Sequence, residues 1–219
     1  MKRLFAALVA GALLSMPSLL RADALPGMPT AGEAPFVKAV SSDLGARFAT
    51  VADAERAGYE RYTDEDETGA ISYANRAWTS ADEKHPSQLW YDAKGRLLGA
   101  DFSVPLSAAP PHLFGVEPSR WSTFHQHVHY GLVGPNGTTT YGATGAKKIA
   151  AAGGDPAHPT AKDLVAMGIA KNASDVRFAF DFPAIWDLGV WVIPNASGAF
   201  ADKNPAVKPV HPPKPDGAM

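Results

Sequence analysis

The segment Phe124-His125-Gln126-His127-Val128-His129-Tyr130 carries three of the chain's seven histidines at two-residue spacing. In a strand, side chains alternate between faces, so His125, His127 and His129 would all project the same way. Three imidazoles on one face offer neutral nitrogen ligands to a transition metal, with zinc, copper or iron the ions such a set suits. Same-face neighbours on one strand lie ~7 Å apart, so two adjacent rings can meet at one ion and a third reaches less easily. The expected site is therefore His127 with one neighbour, completed from a facing strand. The competing explanation is a polar, solvent-facing side of a hairpin strand with no metal.

Asp101 is the best candidate for the completing ligand, with an edge or exposed aspartate as the alternative. It sits mid-strand in the apolar run Arg96 to Val104, on the opposite face from Ala100 and Phe102. A buried carboxylate there needs a cation or hydrogen-bond donors. Asp181 and Asp187 are further strand carboxylates with weaker claims. His112 is a possible outer ligand, and His85, also beside a proline, has the same character. His158 and His211 carry no such expectation. Two histidines and a carboxylate would suit non-haem iron, and three histidines with a water would suit zinc or copper.

Other chemistries find little support. The chain has no cysteine, which removes thiolate ligands, thiol nucleophiles and disulfides. No Gly-x-Ser-x-Gly elbow, phosphate-binding loop or dinucleotide fingerprint occurs. Asp64-Glu65-Asp66-Glu67 lacks the alternating oxygen ligands of a calcium loop and is expected to be a solvated loop. A formal charge of -2, with acids and bases mixed, excludes nucleic acid as a partner.

The positioning elements follow from the rest of the chain. Lys2 and Arg3, an apolar run to Leu20, and Ala22-Asp23-Ala24 form a secretory signal peptide over residues 1–24, and the mature protein is expected in the periplasm or outside the cell, free of the membrane. Residues 25–36 are expected to be a flexible arm, 37–205 one globular domain, and 206–219 a disordered proline-rich tail. Val37, Val40, Leu44, Phe48 and Val51 mark a helical stripe that Gly45 divides, with the second helix stopping at Gly58. From Ile71 the pattern is β. Gln88–Tyr91 and Arg96–Val104 flank Asp92-Ala93-Lys94-Gly95 as a hairpin, and Gly134-Pro135-Asn136-Gly137 turns the histidine strand back on itself. Short helices follow at 147–152 and, from a Thr160…Asp163 capping box, to about Ala170, then two strands over 176–182 and 186–193. The five tryptophans are expected in the core, with a pocket for a small molecule as the alternative.

Several pieces, taken in order, resemble a family of uncharacterised exported bacterial proteins. They are Val51 to Tyr59, ending Ala-Gly-Tyr; His85-Pro86-Ser87-Gln88-Leu89-Trp90-Tyr91; Arg96 to Phe102; His112-Leu113-Phe114-Gly115; and Leu188 to Val192 with Ser197 to Pro205. The likeness spans most of the mature chain and is most specific in the tail. Members of that family typically carry glutamate at the position of Asp101, histidine at Gly189 and a His-Tyr or His-Phe pair near Ser72 and Tyr73. A weaker likeness is to the oil-body-associated protein family, with its Leu-x-Gly-x-acid strand followed by a Trp-His-x-His segment. Neither resemblance implies a reaction.

The expectation is thus an exported α+β domain on a mainly antiparallel sheet, rolled or barrel-like, with a few flanking helices. Its expected role is metal binding, with metalloenzyme chemistry open. A non-catalytic binding or structural domain without metal is the alternative.

Overall fold

In the computed structural model, residues 26–77 and 82–211 are described. The expected signal peptide over residues 1–24, Trp78 and the final prolines lie outside them.

A Thr30 turn leads into α1 (Ala34–Arg47), whose first residues include Pro35, a position where a missing N–H is no loss. Phe36, Val40 and Leu44 form its buried stripe. The helix runs through Gly45, where a side chain would meet open space, so nothing there favours a break. The break falls at Phe48, and α2 (Val51–Arg56) starts afresh from a Thr50–Asp53 capping box. It closes at Gly58, whose φ of +88° suits a residue without Cβ.

Nine strands follow: β1 (Glu60–Arg61), β2 (Ile71–Ala74), β3 (Gln88–Tyr91), β4 (Leu97–Pro105), β5 (Ser122–Phe124), β6 (His127–Val133), β7 (Thr139–Gly145), β8 (Val176–Phe182) and β9 (Ile185–Trp191). They make two antiparallel sheets, ordered β1-β2-β3-β4-β9-β5 and β7-β6-β8. Neither sheet closes on itself among the described residues. The hairpin at Asp92–Gly95 forms as expected, with Gly95 at a φ of +76°.

Each sheet buries one face under helices. α1 and α2 cover the face of the larger sheet that carries Leu89, Tyr91, Ala100, Phe102, Leu188 and Val190. Phe36 meets Phe102 edge-on at 5.6 Å between ring centres. On the smaller sheet, Val128 packs with Ile149 of α3 (Ala146–Ala151) and Leu164 of α4 (Ala161–Ala166), each with no exposed surface. α4 stops four residues short of Ala170, because Gly168, at a φ of +72°, turns the chain out of the helix. Its start is fixed by Thr160, whose Oγ1 accepts the Asp163 N–H while Asp163 Oδ2 accepts the Thr160 N–H at 2.7 Å. Thr160→Ala should destabilise the protein by about 1 kcal/mol, seen as a lower urea midpoint at unchanged slope. An unaltered midpoint would mean that Leu164 packing alone holds this helix.

Residues 26–33 and 207–211 are more firmly placed than the expected arm and tail. Residues 26–33 are seated on the body: Arg120 donates to the carbonyls of Pro26 and Met28 and to both oxygens of Glu33, which is wholly buried. Phe200 N–H donates to the Gly27 carbonyl at 2.9 Å. Beyond residue 205, Val207 packs into a small cluster with Ala70, Leu98 and Trp191. Glu65 accepts the backbone N–H groups of Val210 and His211 at 2.7 and 2.8 Å. No helix among the described residues is long and apolar enough to cross a membrane.

Candidate functional site

The two sheets share one antiparallel ribbon. β5 pairs with β9 at the edge of the larger sheet, with Phe124 opposite Ile185. β6 pairs with β8 in the smaller, with His127 opposite Phe182. Two residues separate the paired stretches on each strand, His125-Gln126 on one and Pro183-Ala184 on the other. The skips are equal, so the register survives the corner. Pro183 has no N–H to donate to a continuing ladder. The ribbon therefore bends here, and its inner angle gathers side chains from both sheets.

His127 and His129 project into that angle. Their Nε2 atoms are 3.0 Å apart. His127 Nδ1 lies 2.7 Å from the His125 carbonyl, an acceptor only, so Nδ1 carries the proton and Nε2 presents its lone pair. The His129 Nε2–H then donates to it. Phe182 stacks on His127, Phe180 stacks on His129, and Tyr62 meets His129 edge-on at 4.6 Å between ring centres. Burial among these rings, and then the neighbouring His127, drive the His129 pKa down to about 3, so its imidazole is neutral at physiological pH. Two ligands at ~2.0–2.1 Å from a tetrahedral zinc would be ~3.3–3.4 Å apart, so a small opening of the pair admits an ion. The carbonyl behind His127 is the kind of partner that holds a ligating imidazole in place.

The second cluster lies on the facing sheet. Asp101 stands opposite Gly189, and Ser103 opposite Asp187, so the two aspartates are diagonal neighbours on one face. Buried side by side, the two carboxyls act on each other's acidity. Trp90 lies across Gly99, where a side chain would collide with its ring, and Gly189, where one would be tightly crowded by it. This brings its Nε1–H to Asp101 Oδ2 at 2.7 Å. Ser103 Oγ donates to Asp187 Oδ1 at 2.7 Å, and Ser87 Oγ lies 2.6 Å from Ser103 Oγ. Both carboxyls are pushed up, Asp101 far above its usual value by burial and by the charge of Asp187, and Asp187 to about 6, mainly by burial. Tyr62 joins the two clusters, with its ring against His129 and its hydroxyl donating to Gln88 Oε1.

No family model, curated protein or solved structure matches the chain.

Of the residues expected at a metal site, His127 and His129 come together and the others do not. His125 falls in the corner of the ribbon and is exposed, because the expected histidine strand is two strands, β5 and β6, in different sheets. Asp101 faces inward as expected, but its partners are Trp90 and Asp187 in place of the imidazoles. His112 is exposed in the connection after β4. Among the described residues no three His, Asp or Glu side chains are grouped to hold a metal. Trp90, Ser103 and Tyr62 were not expected to share a site, and Asp187 had only a weaker claim to one. Strand parity already put Asp101, Gly99 and Ser103 on one face, but only the β4–β9 register places Asp187 there too.

Proposed function

We propose that the chain is an exported protein that binds a transition metal ion, zinc, copper or iron, through the Nε2 atoms of His127 and His129. The observation that carries this is the 3.0 Å Nε2–Nε2 approach, backed by the His125 carbonyl on His127 Nδ1. A neutral His129 adds to it, since its one ring proton can pass from Nε2 to Nδ1 and leave the Nε2 lone pair to the ion. Water would fill the remaining coordination positions. The N-terminal basic, apolar and small-residue pattern supports export to the periplasm or beyond.

A second reading has its own support. With no third donor among the described residues, the pair can be a plain N–H···N hydrogen bond in an aromatic interface, and the protein a non-catalytic domain without metal. Metal analysis of untagged mature protein separates the two. Stoichiometric metal, lost in His129→Ala and kept in His125→Ala, is the expected result. Protein that takes up no zinc, copper or iron at equilibrium, with a melting temperature indifferent to chelator, would decide for the second reading.

A further inference from the structure

Inside the bend lies a cavity of about 250 Å³, between the end of β2 and start of β3 on one side and the β8–β9 corner on the other. Phe180, Phe182, Pro183 and Ile185 give it an apolar wall. Gln88 and Ser103 are the polar groups set most deeply in it, 6 % and 4 % exposed.

Gln88 is the informative residue. Its Oε1 is taken by the Tyr62 hydroxyl, which fixes the amide so that Nε2 is the free end. That NH2 group donates to nothing among the described residues, although the side chain is more than nine-tenths buried. The sealed side-chain atom without a partner among the described residues is Trp121 Nε1, so Gln88 Nε2 opens onto the cavity and is available to an acceptor that enters it. The neighbouring hydroxyls do not compete for it, because the Ser103 hydrogen goes to Asp187 and Ser87 is engaged with Ser103 and the Asp101 carbonyl.

The charges around the cavity select the kind of acceptor. Asp181 lines it, and the Asp101–Asp187 pair stands behind Ser103. Arg76 at the rim is occupied by the Phe180 ring and by Glu60 at 3.7 Å. An anion entering would meet net negative charge, and a cation would meet the Gln88 hydrogens. The volume is below the range of drug-sized ligands, so the guest is small.

We propose that this cavity binds a small uncharged molecule with an apolar body and a carbonyl head, the carbonyl oxygen accepting from Gln88 Nε2. This is independent of metal binding, since neither His127 nor His129 lines the cavity.

The test is an NMR titration of untagged mature protein with phenylacetamide and, separately, phenylacetate. Saturable shifts at the Ile185 methyls with phenylacetamide are expected, and binding of phenylacetate should be at least about fivefold weaker from charge repulsion. Gln88→Met should weaken phenylacetamide by about tenfold, the worth of one hydrogen bond, and Ala74→Leu, which fills the cavity from β2, should abolish it. No saturable shift at Ile185, equal binding of the two probes, or binding untouched by both variants would each overturn the proposal. Should either variant fail to fold, the wild-type comparison of the two probes at Ile185 decides.

Discussion

Asp101→Asn should make the protein more stable at pH 8, because burial and the charge of Asp187 hold the Asp101 carboxyl well above its usual value. An asparagine reproduces the protonated aspartic acid: its amide can donate to Asp187 while its oxygen still accepts from Trp90 Nε1. The wild-type carboxyl must hold a proton that an unfolded chain gives up near pH 4. A carboxyl whose folded-state pKa is raised contributes stability below the unfolded value and loses it as pH climbs through the folded one. Urea denaturation at pH 5 and pH 8 measures this. Relative to the wild type, Asp101→Asn should gain stability from pH 5 to pH 8. Parallel behaviour of the two proteins would show that no proton is shared across β4 and β9.

How much of this was legible in the sequence depends on which contact is considered. The Asp92–Gly95 turn and the Thr160–Asp163 cap are local, and residues within four positions of each other contain all the information needed to form them. The helical stripe was legible but its division was not, because Gly45 tolerates a helix and Thr50 supplies a better start than anything nearer. The histidine segment misled in one respect. Alternation along β6 brings His127 and His129 together, but alternation assumes one unbroken strand, and the two-residue corner at His125-Gln126 resets it. Nothing local to that segment announces the corner; the matching signal is Pro183, some 55 residues away on the partner strand. The acid pair depends on the β4–β9 register, a pairing across a separation of more than 80 residues that no spacing rule reaches.

The tail shows the same limit in reverse. Proline content suggested disorder from 206, yet Val207 and the backbone of Val210 and His211 have partners far away in sequence, Leu98, Trp191 and Glu65. Composition reports what a segment cannot do alone. It does not report a buried slot prepared for it elsewhere.

His129→Phe tests the opposite wall of the same interior and should reverse the sign of the acid response. The His129 pKa is held near 3 in the folded protein, against an ordinary value of 6.5. A histidine with a lowered folded-state pKa contributes stability above its unfolded value and loses it as pH falls toward the folded one, since only the unfolded chain takes up the proton. Two pH units below 6.5, at pH 4.5, that loss is about 3 kcal/mol. Over the same range, falling pH favours the Asp101–Asp187 pair, so in the wild type the two responses oppose each other and the pH dependence is shallow. A phenylalanine keeps the stacking on Phe180 and the edge contact with Tyr62 but has nothing to protonate. His129→Phe should therefore gain stability steadily from pH 7 to pH 4.5 relative to wild type, and Asp101→Asn should lose it. Urea denaturation of all three proteins across that range gives the two slopes separately. If the His129→Phe curve parallels the wild type, the imidazole is not desolvated as its neighbours imply, and its readiness to accept a metal at neutral pH has no structural basis.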